Sequence, residues 1–269
     1  MNQPENAANP AIAADIPAIF TPVHKALSKA VPSVPLWNTR YGMVHDNQAD
    51  DVIARSLSSY GEWAEQELDL VGALLDEGNV ALQYGAEHGA HALYMSKLVG
   101  VAGEVHVVEP RRLPHIALCT ALGLNNVRNV HPWQAALGDR QGSVDLPAST
   151  DQPEERVRML TLDALKLSAL HLLKINLHGC LLALLSGAGE TLRKHKPAIY
   201  FRLSTLESAA NEVAALKETG YRCWSHLPYL YNAGNFAENK RNIFPGWSHQ
   251  NVIAVHRDAP VNFQHLPEI

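Results

Sequence analysis

Residues 80–110 read VALQYGAEHGAHALYMSKLVGVAGEVHVVEP, and the rest of the chain is organised around them. Val80 to Tyr84 is an apolar run of strand length that stops at Gly85. Gly89 follows, and then a helical pattern carried by Leu93, Met95, Leu98 and Val99. A second strand-like run, Val105 to Val108, ends at Glu109 and Pro110. Strand, turn, helix, strand, acid is the first half of a nucleotide-binding βαβ unit. Gly85 lets the chain turn sharply off its strand, and Gly89 permits close approach of a ligand or a helix. Glu109 stands where an acid accepts both hydroxyls of a ribose. The glycine spacing is G-A-x-x-G, not the G-x-G-x-x-G of a dinucleotide fold.

The turn, Gln83–Gly89, resembles that of the FkbM family of S-adenosylmethionine (SAM) methyltransferases, whose pattern runs roughly D-x-G-A-N-x-G. Gly85, Ala86 and Gly89 match, Gln83 stands for the Asp, and Glu87 stands for the Asn. The likeness extends over about residues 40 to 257. Tyr60-Gly61-Glu62-Trp63 is similar to the segment that leads into the family's first strand. Ala136-Leu137-Gly138-Asp139 and Thr161-Leu162-Asp163 match two of its turns. Leu172–Gly179 is similar to the family's L-L-K-I-D-x-E-G. Among the family's acids only Glu109 is retained: Gln83, Asn176, His178, Leu181 and Arg202 stand where others are expected.

The resemblance implies an α/β, Rossmann-like class I SAM methyltransferase fold. Its sheet would be doubly wound, seven-stranded and mostly parallel, with an antiparallel edge strand. It implies SAM as cofactor, with Gln83, Gly85, Ala86, Glu87 and Gly89 at the methionine end. Glu109 would hold the ribose, and Gln134 and Ala135 would border the adenine. His178 is the natural base and Asn176 its companion at the end of the fourth strand. The acceptor would be a small molecule, a hydroxyl of a sugar or natural product. The lost acids leave a second reading open: a degenerate member that keeps the fold as a binding or regulatory subunit. A homodimer or an active methyltransferase partner fits either reading. Glu87 is an acid gained near the turn, and it is a candidate to neutralise Arg202.

Composition agrees with one sizeable α/β domain. The 269 residues are 46% apolar and 18% charged, enough for a substantial core. A net charge of −5 argues against nucleic-acid binding. Cys119, Cys180 and Cys223 lack metal spacing and read as reduced thiols of a cytoplasmic protein. The N-terminus has no basic start with a long apolar run, so no secretory signal is expected. Leu165 to Leu185, the most apolar stretch, is interrupted by Lys166, His171, Lys174, Asn176 and His178, which excludes a membrane span.

Along the chain, residues 1–35 are punctuated by prolines and read as a flexible arm, with a short helix around Val23 to Ala30. Residues 36–78 read as a helical leading segment, and Gly78 closes a helix carrying Leu68, Val71, Leu74 and Leu75. Trp63 there anchors a helix or lies over the cofactor. Residues 79–258 form the Rossmann-like domain, and 259–269 a tail. Helix two is expected over Leu113 to Leu122, strand three over Val127 to Val130 and strand four over Leu170 to Leu177. One helix is expected over Leu181 to Arg193. Residues 227–250, long and rich in Asn and aromatics, read as a substrate-side lid. His88 and His91 read as first-turn helix residues, one lining the crevice and one packing, with no metal site. Lys174 lies in an apolar strand and needs a partner, for which Asp163 is the candidate.

Overall fold

The computed structural model describes residues 35–45, 51–148 and 153–269. The chain divides into two units, Met1–Val34 and Pro35–Ile269, and every described element belongs to the second. The expected arm therefore lies, all but Pro35, outside the described residues.

Strands β1 (Leu36–Thr39) and β2 (Gly42–His45) form a hairpin in a segment expected to be helical. Helices α1 (Val52–Tyr60) and α2 (Glu65–Gly72) follow. Asp51 caps α1 by accepting from Ala54 N at 2.7 Å. The nucleotide-type unit is built as its pattern implies: β3 (Val80–Tyr84), a 3-10 turn Glu87–Gly89, α3 (Ala90–Val99) and β4 (Glu104–Val108). Then come α4 (Arg112–Leu124) and β5 (Val130–Trp133). Strand five begins where strand three was expected to end.

A side sheet, β6 (Ala136–Leu137), β7 (Gly142–Leu146) and β8 (Glu155–Leu160), has the order β6-β8-β7. The main sheet resumes with β9 (Leu172–Ile175), shorter than the expected fourth strand. The helix expected over Leu181 to Arg193 is two, α5 (Leu181–Ser186) and α6 (Gly189–His195). The second starts afresh because Asp163 accepts from Glu190 N at 3.0 Å and Thr191 N at 2.7 Å. That role takes Asp163 away from Lys174, and the expected pairing does not form. Strand β10 (Ala198–Arg202), helix α7 (Leu206–Glu218), β11 (Tyr221–His226) and β12 (Asn251–His256) complete the chain.

The main sheet has the order β11-β12-β10-β9-β3-β4-β5. The five strands from β10 to β5 run parallel, and β12 is antiparallel between β10 and β11. Side chains alternate across the sheet. On β3, Leu82 and Tyr84 join one apolar layer with Leu173, Ile175 and Phe201. Ala81 joins the opposite layer with Trp63, Leu68, Val71 and Leu93. Gln83 shares the Ala81 face, and so do its register neighbours Lys174 and Tyr200. The alternation thus sends one row of polar groups into the layer beneath α2. Gly89 (φ +88°) lets α3 and α4 close together, since a Cβ there would lie 3.0 Å from Ala121 Cβ.

Candidate functional site

The carboxyl ends of β3, β4, β9 and β10 converge on Gly85, at φ +98°. A Cβ on Gly85 would lie 3.0 Å from Leu177 Cγ and 3.2 Å from Asn176 Cβ. Its amide donates to Val108 O at 2.9 Å. Its carbonyl accepts twice, from Gln83 Nε2 at 2.7 Å and from Asn176 Nδ2 at 2.9 Å. Glu109, buried at the end of β4, accepts from Ala86 N at 2.8 Å and Arg111 N at 2.9 Å. Burial pushes the Glu109 carboxyl up in spite of those two amides. Glu87 (φ +47°) and His88 (φ +59°) both sit in the left-handed region. That conformation costs side-chain-bearing residues about 1–2 kcal/mol each, and Asn tolerates it better than Glu.

Beside this turn lies a closed ion network. Arg202 Nη1 is 2.5 Å from Glu87 Oε1, and Arg202 Nη2 is 3.2 Å from Glu67 Oε1. Lys174 Nζ donates to Glu67 Oε2 at 2.9 Å and also to Asn176 Oδ1, and lies 3.9 Å from Glu87. His249 Nδ1 lies 2.7 Å and Asn251 Nδ2 2.9 Å from Glu67 Oε1. His91 Nδ1 lies 3.1 Å from Glu87, and its other nitrogen 2.9 Å from Trp63 O. Glu67 and Lys174 are wholly buried, and Glu87 and Arg202 keep 8% exposure each. Burial pushes the Glu67 and Glu87 carboxyls up, but Arg202 and Lys174 outweigh it and hold both below the usual range. Burial disfavours the Arg202 cation, and Glu67 and Glu87 outweigh that in turn. Two carboxylates face two cations, so the network is neutral.

Arg202 is thus neutralised by Glu87, together with Glu67. Glu67 escaped sequence reasoning, although it lies four residues before Val71 on the apolar face of α2. His249 and Asn251 were missed as well. His178 lies exposed beyond β9, with Nδ1 3.0 Å from Leu203 O. Asn176 is buried, with both ends of its amide engaged. Ala135 is buried, whereas Gln134 is exposed and lines a cavity. Trp63 is fully buried and packs its ring against His249 and Arg202, as an anchor of the network. His88 pairs with Asp51 at 3.1 Å, and His91 is the packing histidine. Among the described residues, no group of three or more His, Cys, Asp and Glu could hold a metal ion.

The profile of the methyltransferase FkbM domain matches residues 83–223, more than half of the chain. The chain belongs to the FkbM methyltransferase family. Similar solved structures include precorrin-6y C5,15-methyltransferase from Geobacter metallireducens GS-15, at 15% identity, TM-score 0.49, over 71% of this chain and 87% of that one. A methyltransferase FkbM from Methylobacillus flagellatus KT is also 15% identical, at TM-score 0.49, over 76% of this chain and 55% of that one. A SAM-dependent methyltransferase from Aquifex aeolicus is 17% identical, at TM-score 0.42, over 76% and 93%. No curated protein matches. The fold of this FkbM-family chain is the Rossmann-like class I methyltransferase fold, doubly wound around the mostly parallel sheet.

The family's cofactor brings a sulfonium and an ammonium, and the methionine end of this site does not fit them. Both nearby carboxylates, Glu67 and Glu87, are already paired with Lys174 and Arg202. The two lone pairs of the Gly85 carbonyl are taken by side-chain amides. Gln83 Oε1, which is neutral, has no hydrogen-bond partner among the described residues, and the Glu87 oxygens meet Arg202 and Lys174 as ion pairs. A cation inserted here would lie close to Arg202. Glu87 and Glu67 beside Arg202 offset its repulsion, so an incoming cation meets a neutral network and gains no unpaired carboxylate.

Proposed function

We propose that this FkbM-family chain is a methyltransferase-fold protein without catalysis, a binding or regulatory subunit. The observation that carries this reading is the neutral Glu67–Lys174–Arg202–Glu87 network at the end of β9 and β10. The side chains that would meet a cofactor's charges meet one another instead. Hydrogen bonds to charged groups are worth about 1.5–3 kcal/mol each. Losing two or three of them removes most of the roughly 8 kcal/mol of a micromolar complex. The partner in this reading is a protein, a second copy or an active methyltransferase of the cytoplasm.

The test is calorimetric titration of the purified chain with SAM and S-adenosylhomocysteine, with Glu109→Ala as control. The expected result is no saturable heat up to about millimolar ligand. Micromolar binding that disappears in Glu109→Ala would overturn the reading. It would restore a SAM-dependent O-methyltransferase acting on a sugar or natural-product hydroxyl, with His178 and Asn176 on the acceptor side. Glu109 favours that second reading, since each of its oxygens keeps a lone pair beyond the one amide it accepts.

A further inference from the structure

A cavity of about 440 Å³ opens beside the nucleoside end of the site. Its walls include Arg112, Gln134, Glu155, Arg156 and Arg158. The alternation of β8 puts the arginines there: Val157 and Met159 turn into the side-sheet core, and Arg156 and Arg158 turn out. Across the β7–β8 register Asp145 stands opposite Arg156, at 3.6 Å, and Ser143 stands opposite Arg158. Arg156 Nη2 also donates to Ser143 Oγ at 3.0 Å. Among the described residues neither Arg158 nor Arg112 has a carboxylate within ion-pair distance. Glu155 is the one carboxylate in the wall, and it accepts from Arg112 N at 3.0 Å at the start of α4.

Three guanidiniums therefore meet two carboxylates, Glu155 in the wall and Asp145 beside Arg156, a local charge of +1 on a chain whose net charge is −5. A planar guanidinium grips phosphate oxygens in pairs, which a lysine patch does not do. The first turn of α4 adds the positive end of a 13-residue helix. The volume falls within the roughly 300–1,000 Å³ of small-ligand sites. SAM carries no phosphate, so the family's cofactor does not account for this lining. We propose that the cavity binds a phosphate-bearing dianion clamped by Arg112, Arg156 and Arg158. The Gln134 amide supplies both a donor and an acceptor for whatever group the phosphate carries. The proposal stands whether or not SAM binds at Gly85.

Calorimetric titration of the full chain with inorganic phosphate and with adenosine 5′-monophosphate, and with adenosine as the uncharged control, tests it. Both anions should bind and adenosine should not. Arg158→Glu should weaken binding by at least about tenfold. Lys217→Glu, an exposed charge reversal on α7, should leave binding unchanged. A nucleotide that binds at least about tenfold tighter than inorganic phosphate marks a nucleotide site, and equal affinities mark a phosphate site. No saturable binding of either anion at about 10 mM would overturn the proposal. So would equal affinity in Arg158→Glu, whose thermal midpoint should match the parent because Arg158 is exposed.

Discussion

At the residue scale, Arg202 replaces an acid that the family pattern expects, and Glu87 replaces an amide. The two changes are complementary: 2.5 Å separates the new cation from the new anion. Glu87 holds a left-handed backbone that suits Asn better, so its pairing offsets local strain. Arg202→Met should therefore destabilise the chain by about 3–5 kcal/mol, because Glu67 and Glu87 would share only Lys174. Adding Glu87→Gln should recover part of that loss, a coupling of about 0.5–3 kcal/mol. Urea denaturation of the two single variants and the double variant measures it. Strict additivity would show that Glu87 and Arg202 are neighbours without energetic dependence. Sequence placed Glu87 and Arg202 in one hypothesis because both stand at family positions. It did not place Glu67, since an acid on a short helix ordinarily faces water. Only the fold brings it to Lys174 and Arg202, more than 100 residues away in the chain.

At the element scale, the 227–250 segment is pinned to the leading helices. Ala237 N donates to Tyr60 O at 2.9 Å, and Tyr60 OH receives Ile243 N at 2.7 Å. Glu62, just beyond α1, accepts from Arg40 Nη2 at 2.8 Å, from Asn232 Nδ2 at 2.9 Å and from Phe236 N at 2.9 Å. The buried Glu62 carboxylate and Tyr60 together fasten the segment to the leading helices. Glu62→Ala leaves three donors without their acceptor and should cost about 3 kcal/mol. Limited proteolysis should then cut first within residues 232–241. Protease resistance equal to the parent would mean that the bonds to Tyr60, Ser59 and Gln66 hold the segment without Glu62. Strands β3 and β4 and the helix between them were legible because each is an apolar run or stripe closed by Gly or Pro, at Gly85, Pro110 and Gly100. The β1–β2 hairpin was not: its four-residue strands are mostly partly exposed. The break between α5 and α6 was not legible either, because its cap, Asp163, comes from a distant turn.

For the whole molecule, buried titratable groups set how stability depends on pH. Burial holds His249 below the ordinary imidazole value despite its bond to Glu67, and burial lowers His106, His115 and His226 as well. The unfolded chain therefore takes up these protons first, and stability falls as pH drops below about 6.5. Glu67 and Glu87 act in the same direction further down. Burial alone would raise them, but Arg202 and Lys174 depress both, so their contribution is complete above about pH 4.3. It is lost as pH falls from there towards the folded values. Glu65 and Glu109, raised by burial, have the opposite sign, because the folded state protonates them first. They soften the decline above the ordinary carboxylate value of about 4.3 but not below it. The urea midpoint should thus fall gently from about pH 6.5 and steeply below about pH 4. Glu67→Gln should start from a lower midpoint at neutral pH and show a shallower acid limb, since it removes one depressed carboxyl from the linkage. A parent midpoint that stays flat down to pH 3 would mean that the network contributes nothing net to folding. An acid limb of unchanged slope in Glu67→Gln would assign the decline to groups outside the network.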